Sequence, residues 1–282
     1  MNEAKRTPTP AIIALVALFV VGIAIVAAVH PDEPNRPRPF GLVAAGLLLG
    51  TTYGHVSVAA AWCALGPLRL ATRLPLSAGW VAALCIALAV NLATDRGPPN
   101  ELVVVLVFCG VLFGQWVLVQ LAVWLWTYYV PRRLVVGDAL SAASHRDNKQ
   151  FGIREVLLLT TIVAVVLGSG RLALGALIPG SGAVAWRTIL IFGFLAVLNA
   201  AMPLPIIATA LTSKRKWSTA CFALALVVGV TAIEVQIAHL LGWWTPMTDN
   251  IAQVGTMNAV QAAWLIAFIL LARAAGCRLV AS

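Results

Sequence analysis

Apolar residues run in long unbroken blocks along the chain, separated by short polar stretches rich in Pro, Gly, Arg and Lys. A helix needs about 20 apolar residues to cross about 30 Å of hydrocarbon. Eight blocks meet or approach that length: about 11–29, 40–64, 76–94, 102–130, 155–178, 186–211, 218–242 and 256–275. They are uniformly apolar, without the alternation of a barrel strand, so helices are expected, each satisfying its own backbone in lipid. The pattern predicts an all-α integral membrane bundle of about eight helices. No segment between the blocks is long enough for a soluble domain. Residues 1–282 are therefore read as one transmembrane domain: a first half of about 1–130, a loop 131–154, and a second half of about 155–282.

Composition agrees with the pattern. Hydrophobic residues make up 61% and charged residues 10%, against about 25% charged in soluble domains. The net charge of +9 would suggest nucleic acid in a soluble chain, but here the basic residues sit in short loops between spans, so no nucleic-acid partner is expected. With the N-terminus inside, fourteen Lys and Arg fall on the cytoplasmic side and five outside (Arg36, Arg38, Arg96, Arg171 and Arg187). That bias predicts an N-in/C-in topology. The first block, behind MNEAKRTPTP, is read as a retained span rather than a cleaved signal. Cys63, Cys85, Cys109, Cys221 and Cys277 show no ligand spacing and are read as free thiols, with no metal and no cofactor expected.

The starts of corresponding spans in the two halves lie about 142 to 154 residues apart, which raises a parallel 4+4 repeat. In the central loop, Leu134, Val135, Ala139, Leu140 and Ala143 recur at helical spacing, as in a short helix on the inner leaflet or a solvated linker. The stretch QFGIREVLLLTTIVAVVLG, residues 150–168, opens the fifth span behind Arg154 and Glu155. It resembles a segment, F-S-I/L-R-x-L-L-x-x-T, of uncharacterised bacterial multi-pass membrane proteins, matching at Phe151, Ile153, Arg154, Leu157, Leu158 and Thr160 with Gly152 in place of Ser. The resemblance implies a bacterial cytoplasmic (inner) membrane location and carries no activity.

Candidate chemistry lies in the few polar residues within spans, because burying them unpaired is costly. Gln115, Asn199 and Glu234 are placed in one midplane layer with no Lys or Arg at that depth. A lone carboxyl there is expected to be protonated at neutral pH and hydrogen-bonded inside the bundle. Pro203 and Pro205, just after Asn199, predict a helix kink. Gly46, Gly50 and Gly54, four apart, form a smooth packing stripe on the second span, and Gly110 and Gly114 repeat the spacing on the fourth. His55, beside the first stripe, is read as a packed, hydrogen-bonded histidine before a metal ligand. Trp62, Trp80, Trp124, Trp126, Trp186, Trp217, Trp243 and Trp244 are read as interfacial belts.

Ser181 and His239 fall at one level near the outer surface. The chain reads P-G-S-G there, where rhomboid-type intramembrane proteases carry G-x-S-G, and Ala59 stands four residues after His55 where Asn is required. No nucleotide, zinc or calcium motif is present. No catalytic residue is assigned. The leading expectation is a structural or assembly role in the membrane, with lipids and a homo-oligomer or membrane protein as partners. The alternative is a small proton-coupled transporter or channel with a midplane polar site; a membrane-embedded enzyme ranks third.

Overall fold

The computed structural model describes residues 9–28, 38–66, 70–93, 100–129, 132–136, 194, 197–212, 216–240, 247–274 and 277–281. They form seven helices: α1 (Thr9–Ala28), α2 (Arg38–Leu65), α3 (Leu70–Ala93), α4 (Asn100–Tyr129), α5 (Pro203–Thr212), α6 (Lys216–Leu240) and α7 (Met247–Ala274). Five of them, α2, α3, α4, α6 and α7, are long and apolar enough to cross a membrane. The body is thus a helical multi-pass bundle. The fifth predicted span, the Gln150–Gly168 segment, Ser181, Trp186, Trp243 and Trp244 lie outside the described residues.

The bundle is organised on α2, whose spanning window is 72% buried against 22 to 44% in the other four. Its main partner is α7, and α1, α3 and α4 also pack on it; α5 and α6 pack on α7. The α2–α7 seam runs along the predicted glycine stripe. A Cβ on Gly46 would come within 2.5 Å of the Gln253 carbonyl oxygen, and one on Gly54 within 2.7 Å of Trp264 Cβ. At Gly50 it would collide with the Met257 carbonyl oxygen. Hydrogen in place of a side chain is what lets the two backbones touch. The second stripe behaves differently: a Cβ at Gly110 or Gly114 meets nothing within 4 Å among the described residues. Spacing of small residues marks a smooth strip, and packing decides whether a helix covers it.

Two further expectations are corrected. Arg132–Val136, which includes Leu134 and Val135 of the proposed inner-leaflet helix, is a strand, β1. It pairs antiparallel with β2, Cys277–Ala281, in the register Arg132 to Ala281 and Val136 to Cys277. A β-branched pair in a short run suits a ladder better than a helix turn, and its partner is too distant in sequence for periodicity to reveal. The ribbon ties the chain leaving α4 to the chain leaving α7, so both exits lie on one side of the bundle. The tryptophans are also not all interfacial. Trp80 is in mid-α3 against Phe19 and His55, because α3 begins at Leu70, ahead of Pro75, and not at residue 76.

The seam makes a direct comparison possible. Gly50→Val is expected to destabilise the protein by at least about 1–3 kcal/mol, the usual cost of overpacking. Gly110→Val, whose added side chain meets nothing within 4 Å of its Cβ among the described residues, is expected to leave the thermal unfolding midpoint in detergent unchanged. Equal shifts for the two variants would contradict the α2–α7 contact.

Candidate functional site

Glu234 lies on the inner face of α6 and is 1% exposed. Both of its carboxyl oxygens receive an amide donor. Asn199 Nδ2 donates to Oε1 at 3.2 Å, and Asn258 Nδ2 donates to Oε2 at 2.6 Å. The Asn258 amide also donates to Thr231 Oγ1, one helical turn before Glu234, at 3.1 Å. Asn258 comes from the middle of α7, and Asn199 from the helical residues 197–201 just ahead of α5.

Residues 197–201 are helical, Met202 is a turn residue, and helix α5 starts at Pro203. The cause is local. The carbonyl of Asn199 would normally accept from the amide four residues on, and Pro203 has none. Ala201 is in the same position with respect to Pro205. The Asn199 carbonyl instead receives Gln261 Nε2 from α7 at 3.1 Å. In hydrocarbon a freed carbonyl must be satisfied from within the protein, and a side chain of a neighbouring helix does so here.

Gln261 carries the chain of bonds across to α2. Its Nε2 also donates to Ser57 Oγ at 3.3 Å, and Ser57 Oγ accepts a second donor, Gln115 Nε2 of α4, at 3.1 Å. Gln115 Nε2 further reaches the Tyr53 carbonyl at 3.4 Å. The result is one buried path: Gln115, Ser57, Gln261, Asn199, Glu234, Asn258, Thr231. Five separate stretches of chain contribute to it. Gln115, Ser57, Gln261, Asn199 and Asn258 have no exposed surface at all.

The direction of these bonds has a chemical consequence. All four amides turn their nitrogen into the network, and three oxygens have no donor among the described residues: Gln115 Oε1, Asn258 Oδ1 and Gln261 Oε1. Leaving a buried acceptor unmet costs about 1–3 kcal/mol. The layer is rich in acceptors and contains one ionisable group. No group of three or more His, Cys, Asp or Glu able to hold a metal ion occurs among the described residues.

Of the three midplane residues singled out from sequence, Asn199 and Glu234 are bonded to each other. Gln115 joins them only through Ser57 and Gln261. Sequence reasoning missed Ser57, Thr231, Asn258 and Gln261. For Asn258 and Gln261 a signal existed. The predicted last span started at 256, which put both near a headgroup, whereas α7 starts at Met247 and carries them to its middle. Their spacing of three then places both on one face. His55, expected to be hydrogen-bonded, is 2% exposed and has no partner at either ring nitrogen among the described residues. It is held by aromatic contacts, with Trp264 at 4.3 Å, Trp80 at 5.9 Å and Phe19 at 6.1 Å between ring centroids. Gly22 of α1 lies flush against its imidazole.

The four free cysteines among the described residues are Cys63, Cys85, Cys109 and Cys221, and none belongs to the network. Compared with protein-family models, curated proteins and solved structures, the chain gives no match.

Asn258 donates to both Glu234 and Thr231, so Asn258→Leu is expected to lower stability by about 1–3 kcal/mol, the cost of leaving a buried acceptor without its donor. Gln236→Leu, on the exposed side of the same helix as Glu234, is expected to change it by less than about 0.5 kcal/mol. Chemical denaturation of the two variants in one detergent makes the comparison.

Proposed function

We propose that this chain is a small membrane transporter of the bacterial cytoplasmic membrane that handles protons through Glu234. One observation carries the reading: a lone buried carboxyl sits in a continuous hydrogen-bonded path beside a broken helix. Discontinuous helices and intramembrane carboxyls are the usual materials of ion-coupled sites. The broken turn supplies backbone carbonyls, and the amides around Glu234 can present either an N–H or an oxygen by rotation. A carboxylate takes donors at both oxygens, while a carboxylic acid needs one acceptor, and the Asn258 amide carries both groups. The site can therefore hold Glu234 with or without its proton.

A purely structural role, which the sequence alone favoured, calls for groups that satisfy one another. Native packing networks leave few buried polar atoms unmet. Among the described residues three amide oxygens of the path, those of Gln115, Asn258 and Gln261, have no donor, which is compatible with a site that takes up a guest.

The proposal keeps eight spans with both termini cytoplasmic, supported by the distribution of Lys and Arg and by the ribbon that puts the exits of α4 and α7 on one side. A parallel 4+4 repeat would relate the α2–α7 contact to the α4–α5 contact, and both occur. With Cys221 and Cys277 changed to Ser, cysteines placed singly at Ser144 and Ser213 are expected to react with an impermeant reagent only once the inner face is opened. One placed at Thr248 is expected to react from outside. Labelling at Ser144 in intact cells would contradict the topology.

The functional test uses liposomes loaded with a pH-sensitive dye and given an inward proton gradient. Protein-containing vesicles are expected to acidify faster than empty ones, and Glu234→Gln, which keeps a hydrogen-bonding side chain of nearly the same shape, is expected to remove the difference. If wild-type and Glu234→Gln vesicles are equally tight, the proton reading falls and the structural one gains.

A further inference from the structure

We infer that the ribbon of β1 and β2 is a binding site for the headgroup of an anionic phospholipid, with Arg133 and Arg278 as its two cationic positions. The inference does not depend on the reading of Glu234. It starts from the register of the ladder. Opposed positions of an antiparallel pair belong to the same face, and the face alternates along each strand. Arg133 is opposed to Val280, and Val135 to Arg278, so these four positions share one face. Leu134, Val136, Cys277 and Leu279 belong to the other, with Arg132 at its end. Arg133 and Arg278 are thus diagonal neighbours at a Cβ spacing of about 7–8 Å, although they come from opposite halves of the chain.

The charge around that pair is of one sign. Residues 129–136 and 270–282 contain Arg132, Arg133, Arg273 and Arg278 and no Asp or Glu. Like charges on one face of a ribbon repel, and a two-stranded ribbon has little stability of its own. An anion between the two arginines turns the repulsion into attraction. Phosphate suits them, because the guanidinium fork matches its oxygens and a phosphodiester offers one free oxygen to each arginine. Position then selects a lipid as the source. β1 starts three residues after α4 ends at Tyr129, and β2 three residues after α7 ends at Ala274. Both helices are long and apolar enough to cross a membrane, so each delivers the chain into the ribbon at headgroup depth. Tyr129 closes α4 and Arg273 stands in the last turn of α7, both exposed. An aromatic and a basic residue are what that depth favours. Each arginine beside an anionic leaflet adds about fivefold in affinity.

The probes are dioctanoyl phosphatidylglycerol, dioctanoyl phosphatidylcholine and sodium phosphate, each added to the purified full-length protein in an uncharged detergent at equal ionic strength. Phosphatidylglycerol is expected to raise the thermal unfolding midpoint above the other two, since a ligand that binds only the folded state stabilises it. Arg133→Gln and Arg278→Gln are each expected to raise its half-saturating concentration about fivefold, and together about 25-fold. The decisive variant combines Arg278→Leu with Leu279→Arg, which keeps the net charge and moves one arginine to the other face. It is expected to bind as weakly as Arg278→Gln, while Arg132→Gln, on that other face, binds as the wild type does. Equal midpoints in the two lipids would overturn the inference. An equal rise in sodium phosphate would show a site for free anions and overturn the lipid assignment. Wild-type binding by the exchanged variant would show that charge near the membrane suffices, and would overturn the paired site. Should a variant fail to fold, the wild-type series decides.

Discussion

The backbone contact between α2 and α7 is the interaction on which the rest of the bundle depends. Gly46, Gly50 and Gly54 remove every side chain from one strip of α2, so the carbonyls of Gln253 and Met257 and the base of Trp264 lie directly on it. Only at that separation can two short groups, the Ser57 hydroxyl on α2 and the Gln261 amide on α7, meet at 3.3 Å. The same approach sets Trp264 over His55 and brings its indole N–H to Thr51 at 3.3 Å. A methyl group on Gly50 would lift the helices apart. It would thereby break the polar path in its middle without touching any of its members.

Hydrocarbon surroundings explain the composition of that path. A soluble protein can send a freed carbonyl or a spare amide oxygen to water, and a lipid-embedded one has to find partners inside. Pro203 creates the need at Asn199, and Gln261 answers it. The proline, the glutamine and the serine that shares the glutamine's N–H thus form one causal sequence from backbone to site. Glu234 is its acidic end. Two asparagines from different parts of the chain hold it, with no cationic partner among the described residues.

Much of this was legible in the sequence, and the failures have physical causes. Long apolar blocks identify spans because the hydrocarbon thickness sets their length, and the glycine stripe on α2 identified a close helix contact. The depth of Asn199 and Glu234 could be counted from the block ends. Periodicity says nothing about which helix lies opposite, so the glycines of α4 looked equivalent to those of α2, yet among the described residues only the α2 stripe is covered. Block ends are also poor guides where a helix starts with polar residues. Thr248, Asp249, Asn250 and Gln253 hid the first two turns of α7, and with them the central position of Asn258 and Gln261. Ser57 gave no signal, since a small hydroxyl in a helix commonly bonds its own backbone. The ribbon of β1 and β2 joins residues nearly 150 positions apart, beyond the reach of any local pattern.

The central claim is that Gln115 on α4 and Glu234 on α6 belong to one connected unit, although no direct bond joins them. A double-mutant cycle tests it: the unfolding free energies of wild type, Gln115→Leu, Glu234→Gln and the double variant, measured in one lipid–detergent mixture. Connection through Ser57, Gln261 and Asn199 makes the two changes non-additive, with a coupling of about 0.5–3 kcal/mol, as for residues in one hydrogen-bonded network. Additivity to within about 0.3–0.5 kcal/mol, the behaviour of independent sites, would contradict the account.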